Sequence, residues 1–206
     1  MRRVLRVAPF VLLAALVLAG CGFDTGGISN GGKVQGRTVT VYSLMPDAVG
    51  RNRDFVDGEK LALADAGGRA GPLLVNFNSL DLGTEDRDEA EVVRRAVTDA
   101  QIIAAVVNAT PVTVPLLNAA GILQVAPGGD IGLASEPNTQ PLGRQTVFRP
   151  SGSVPPEFDS RFREAFGRAP SAGAEDGYRA MNSVLRAIAA AGTAGNDRQA
   201  VIDAYP

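Results

Sequence analysis

Residues 102–107 read Ile-Ile-Ala-Ala-Val-Val. Six consecutive apolar residues, four of them β-branched at the outer positions of the run and two of them small, have no polar face to turn to water. That is the pattern of a central parallel strand covered on both sides. Working outward, residues 85–100 place Ala90, Val93, Val97 and Ala100 on one face with charges opposite, which predicts an amphipathic helix. Before it, residues 73–78 (LLVNFN) read as a strand. Residues 53–66 form a helical pattern with Phe55, Ala62, Leu63 and Ala66 on one side, stopped by Gly67-Gly68. Residues 38–43 (TVTVYS) are β-branched and extended.

On the other side of the central run, residues 112–120 predict a short helix and residues 122–125 a fourth strand. The order β-α-β-α-β-α-β predicts an α/β fold, a single Rossmann-like lobe with a parallel β-sheet flanked by helices. Residues 127–146 are rich in Gly, Pro, Ser and Asn and read as a long loop, with 147–149 as a brief strand. Residues 156–166 predict a helix whose Phe158, Phe162 and Phe166 recur every four residues, as core and not as a binding surface. Residues 172–191 predict the longest helix, with Tyr178, Met181, Leu185 and Ile188 as its buried stripe. Residues 197–204 start one more.

The other end of the chain reads as an address. Arg2, Arg3 and Arg6 precede an uninterrupted apolar run to Leu18, and Leu18-Ala19-Gly20-Cys21 resembles the lipobox of bacterial lipoproteins. The run falls short of the roughly 20 apolar residues a spanning helix needs. Residues 1–20 are therefore expected to be an export signal and Cys21 the lipidated first residue of the mature chain, on the extracytoplasmic face of the cell membrane. Residues 21–37, with glycine at 22, 26, 27, 31, 32 and 36, are expected to form a flexible tether, and residues 38–206 one domain.

Composition excludes much. Of 206 residues, none is histidine and one is cysteine. A Ser-His-Asp triad, a thiol nucleophile and the usual zinc sites are thereby excluded, no cofactor is implied, and the chain is not expected to be an enzyme. With the leader's arginines removed, 17 basic residues face 22 acidic ones, a formal charge of −5 that disfavours nucleic acid. A carboxylate pair, Asp81 with Asp86, sits where acids commonly serve a helix start. No GxGxxG follows the first strand and no GxxxxGK[ST] occurs, so dinucleotides and nucleoside triphosphates have no fingerprint here.

Open parallel sheets hold ligands beyond the carboxyl ends of their strands. The ends here are Ser43 with Met45, Asn78 with Ser79 and Asp81, Asn108 with Ala109 and Thr110, and the run from Ala126 to Asp130. These small polar groups suit a small zwitterion. They equally suit ordinary turns and helix caps.

Several stretches resemble one family. Asp57-Gly58-Glu59-Lys60-Leu61-Ala62-Leu63, the strand 102–107, the segment from Ala120-Gly121-Ile122 to Ala126-Pro127-Gly128, and Phe148-Arg149 are similar to the first lobe of type I periplasmic binding proteins. The branched-chain amino acid binders of ABC transporters are the nearest sub-group. FREAFGRAP at 162–170 and Gly177-Tyr178-Arg179-Ala180-Met181 resemble that family's return to the same lobe. The resemblance implies half of a two-lobed binder, because residues 150–156 join directly what the family separates by a second lobe. An exposed apolar surface where that lobe would pack is a corollary.

What the resemblance implies for function is capture of an amino acid-like solute for an ABC permease. The loops after the third and fourth strands would grip the ligand's charged ends. With Ser43, they supply Asn108, Ala109, Thr110, Thr113, Pro127, Gly128, Gly129 and Asp130 as the candidate ligand-binding residues. The alternatives are a single-lobe interaction or sensing module, with two copies pairing across the cleft, and a shortened remnant that binds nothing.

Overall fold

The computed structural model describes residues 32–206 apart from residues 49, 51, 84–85 and 137–144. The expected export signal and Cys21 lie outside the described residues. The chain runs β1 (Thr38–Met45), α1 (Arg53–Asp65), β2 (Arg69–Ala70), β3 (Leu73–Asp81), α2 (Asp86–Val97), β4 (Ile102–Ala109), α3 (Thr113–Ala119), β5 (Leu123–Gly129), β6 (Val147–Phe148), α4 (Phe158–Phe166), α5 (Ala172–Ala190) and α6 (Arg198–Asp203).

The six strands form one sheet in the order β2-β3-β1-β4-β5-β6. β4 sits inside it, and residues 102–107 are each 0 % exposed. Burying an aliphatic side chain to that degree is worth roughly 1.5–3 kcal/mol, so this strand is what the rest assembles around. Val39, Val41, Val106, Leu123 and Val125 face α1, α4, α5 and α6. Leu44, Ala105, Val107 and Ile122 face α2 and α3. Every pairing is parallel except β2 with β3, a short antiparallel edge that the pattern of residues 69–70 did not announce.

Three expectations are corrected. The helix at 85–100 ends at Val97, and Ala100 is exposed beyond it. Asp99 stops it by accepting the N–H of Gln101 at 2.8 Å and the hydroxyl of Tyr42 at 3.0 Å. The fourth strand runs on through Pro127, Gly128 and Gly129. Proline is admitted because the register slips there, Val106 pairing with Val125 but Asn108 with Gly128. Finally, the end of the proposed tether is docked. Val34 is 2 % exposed, its N–H donates to Asn196 O at 2.7 Å and its carbonyl accepts from Asn196 Nδ2 at 2.8 Å. A lone apolar residue among glycines has a core to enter, and it enters beside α6, whose Arg198 reaches Ile102 O at the start of β4.

Two helices set the lobe's thickness. α1 and α5 cross with Gly58 and Gly177 in the contact. A Cβ on Gly58 would stand 2.0 Å from Ala174 O, and one on Gly177 2.0 Å from Phe55 O. Arg168 then locks α4 to α1, donating to Asp54 at 2.6 Å and to Asp57 at 2.7 Å while lying over the rings of Phe162 and Phe166. Burial acts to raise both carboxyls, but the hydrogen bonds and charge of Arg168, together with Ser171 at Asp54 and Lys60 at Asp57, outweigh it and hold them below the ordinary aspartate range.

Residues 150–157 lead from β6 straight into α4. The buried Ser183 accepts the Ser151 N–H at 2.8 Å, and Tyr205 stacks on Phe148 at 4.6 Å while donating to Arg149 O at 2.6 Å. The join is a built turn. Nor is there an apolar scar: Leu74 is the exposed large hydrophobic residue among those described, and it lies on β3 away from the join. The expected exposed apolar surface is absent from the described residues because the carboxyl ends of the strands carry polar groups.

Candidate functional site

The chain steps from β1 outward to β3 and then back across β1 to β4, so the strand order reverses between β1 and β4. A crevice opens beyond the carboxyl ends at such a reversal. The ends of β4 and β5 border it side by side, since Asn108 pairs with Gly128 and Ala109 with Gly129, and Asp130 N–H donates to Ala109 O at 3.2 Å. Gly129 has φ +77°, and a Cβ there would come 2.3 Å from Ala109 O. Only glycine lets the two loops approach this closely.

The predicted residues divide by what they already bond. Thr113 is buried, and its hydroxyl donates to Asn108 O at 2.9 Å. Thr110 N–H donates to Thr113 Oγ1 at 3.0 Å, and Thr110 Oγ1 accepts the N–H of Thr113 at 3.0 Å and donates to Glu89. The pair caps α3. Asp130 accepts the N–H of Gly132 at 2.8 Å, capping the 3-10 turn Ile131–Ser135. Asn108, Pro127 and Gly128 are half-buried at the rim and Gly129 is exposed, while Ala109 is buried in the ladder. Ser43 is not at the surface. It is 0 % exposed, beneath α1, and faces the equally buried carboxyl of Glu59.

Sequence reasoning named Arg149 only as half of a motif. Its guanidinium donates to the carbonyls of Ala126 at 3.1 Å, Pro127 at 3.0 Å and Gly129 at 3.2 Å. Three peptide carbonyls turned toward one cation fix the backbone of the β5 end. This ties the loop's shape to one side chain.

A separate groove lies beside α1. It encloses about 430 Å³, with Ala48 and Val56 as its apolar lining and Arg53, Lys60, Ser79 and Asp81 around it. Asp81 is committed internally, accepting the N–H groups of Asp47 at 2.9 Å, Ala48 at 3.3 Å and Gly83 at 2.9 Å. The side chain of Asp86, its predicted companion, lies outside what is described.

With this geometry in hand, the chain has the fold of type I periplasmic binding proteins. An ABC transporter substrate-binding protein from Desulfitobacterium hafniense, solved with Leu, superposes with a TM-score of 0.64 at 10 % identity, over 82 % of this chain and 88 % of that one. A leucine-binding protein from Thermotoga maritima gives 0.61 at 13 % identity, over 81 % and 87 %. A branched-chain amino acid transporter substrate-binding protein from Streptococcus pneumoniae, in complex with isoleucine, gives 0.58 at 12 %, over 82 % and 87 %. At such identities the likeness is one of fold. No protein-family model matches the sequence, and no curated protein matches it.

Proposed function

We propose that this chain is the solute-binding component of an ABC-type amino acid uptake system, a capture protein and not a catalyst. What carries the reading is the placing of two strand ends: on a fold whose solved examples include leucine and isoleucine complexes, the β4 end stands at the strand-order reversal with the β5 end paired beside it, and Arg149 holds the second of them in shape. The rim offers Asn108 and the run from Pro127 to Asp130 to a zwitterion, with Ala109 and Thr110 shaping the β4 end beside them. Thr113 and Ser43 act from behind, as supports. The permease is the implied partner.

Heat of binding tests capture. Aliphatic amino acids titrated into the full chain in nonionic detergent give saturable heat; none from any amino acid at millimolar concentration refutes it. A second reading, a single-lobe interaction module that pairs with a second copy, draws on one observation. The hydroxyls of Thr110 and Thr113 and the Asp130 carboxylate are already engaged in capping.

The anchor belongs to the same proposal. A diacylglyceryl group on Cys21 gives stable attachment where a single acyl chain would not, and it keeps the lobe on the extracytoplasmic face beside its permease. Changing Cys21→Ser abolishes labelling of the protein by radioactive palmitate in the producing cells. Undiminished labelling of that variant contradicts the anchor.

A further inference from the structure

We propose that the groove between α1 and the carboxyl ends of β1 and β3 is a binding site for a small dissolved oxyanion, a carboxylate or a phosphate. Its volume of about 430 Å³ is that of a small-molecule pocket. The decisive feature is which polar groups are spent. Both acceptors are. Asp81 takes three backbone N–H groups. Asp57 takes Lys60 on one oxygen at 2.9 Å and Arg168 on the other at 2.7 Å.

The donors are not spent. The Arg53 side chain is 65 % exposed, and its nearest carboxylate is Asp57 at 3.9 Å, beyond good hydrogen-bond range. Lys60 is 50 % exposed and uses one of its three protons. The Ser79 hydroxyl has no partner among the described residues. Arg53 is also the first residue of the 13-residue α1, whose Asn52 turns its side-chain amide to Pro46 O and makes no capping bond to the helix. An uncapped N-terminus of that length adds the positive end of the helix dipole on the same side. Unspent donors around spent acceptors select an anion over a cation or a neutral guest.

The groove's place in the lobe favours a solute over a lipid headgroup. It opens at the carboxyl ends of the strands, whereas the segment at Lys33 and Val34, through which the leader joins the lobe, docks beside α6 at the amino ends. The groove is also distinct from the β4–β5 crevice, so the inference stands whether or not the crevice takes an amino acid.

The test is calorimetric titration of the full chain in nonionic detergent at constant chloride, with inorganic phosphate, succinate and glycerol 3-phosphate as probes. At least one of the first two binds saturably at one site. Replacing Arg53→Ala and Lys60→Ala weakens it by about tenfold for each charge-assisted hydrogen bond removed. An Arg94→Ala, Arg186→Ala control, remote from the groove, leaves it unchanged. Melting curves of both variants check the fold, which exposed side chains barely support. No saturable binding of phosphate or succinate, or undiminished binding in the Arg53, Lys60 variant, overturns the proposal. Clear preference for glycerol 3-phosphate overturns the assignment to a dissolved solute.

Discussion

Replacing Gly177→Ala lowers stability by about 3 kcal/mol, read as a fall in the urea midpoint. Two effects compete. Alanine gains up to about 1 kcal/mol of helix propensity over glycine. Against it stands a Cβ 2.0 Å from Phe55 O, where the neighbour is backbone and no rotamer change relieves it. α1 and α5 must separate, and the aromatic cluster wedged behind them, with Phe158 and Tyr178 at 5.3 Å, separates with them. Gly58→Ala meets Ala174 O at the same 2.0 Å and behaves alike. Gly173→Ala is the control: its nearest neighbour is Ser171 Oγ at 3.5 Å, so the propensity gain is kept and stability holds or rises. Equal midpoints for Gly177→Ala and Gly173→Ala would contradict the packing account.

The second large effect depends on pH. Glu59 is 0 % exposed with neither carboxyl oxygen hydrogen-bonded. Burial drives its pKa well above the ordinary glutamate value, and the opposing influences of Ser43 and Lys60 do not restore it. The folded state therefore holds a proton that the unfolded chain releases near pH 4.3. With the folded pKa raised, the stabilisation is fully present below the unfolded pKa and is lost as pH rises through the folded one. Stability falls as pH rises from the ordinary glutamate range towards the raised folded pKa, by up to about 1.4 kcal/mol per pH unit from this group alone. Glu59→Gln flattens that slope, and Glu59→Met raises stability on its alkaline side because an apolar side chain of similar size carries no charge to bury. A slope unchanged in Glu59→Gln would sink the assignment.

The two glycines also show how the sequence could be read. Gly58 and Gly177 were legible as motif positions of a family, and the structure gives the reason in backbone contact: α1 and α5 touch where a side chain does not fit. Likewise the Phe-Arg pair at 148–149 reads as a motif, while the act of Arg149, three bonds to the β5 loop, depends on a tertiary approach that no spacing encodes. Strands were legible where burial on both faces removes every polar residue, as in β4. They were not legible where Pro127, Gly128 and Gly129 extend β5, because turn-type residues at a bulge look like a loop. The two-residue β2 is too short to carry any period.

The site was legible as a region and not as a set of roles. Position at the strand ends follows from the order of elements, and so the β4 and β5 loops could be named. Whether a threonine there faces solvent or caps the next helix is decided by hydrogen bonds within three residues, and in Thr110 and Thr113 capping prevails. Ser43 shows the converse: strand alternation turns it inward, to Glu59, where sequence placed it among the ligand groups. The α1 groove is half legible: Ser79 and Asp81 stand among the strand ends, while its cations come from one face of a helix that only folding brings beside them.

The most direct test of the central claim asks where an amino acid sits. Leucine is titrated into isotopically labelled full chain in nonionic detergent, and backbone amide shifts are followed residue by residue. The account predicts saturable shifts concentrated at residues 108–110 and 127–130, with residues 53–60 still. Absence of saturable shifts, or shifts confined to residues outside those two loops, would contradict it.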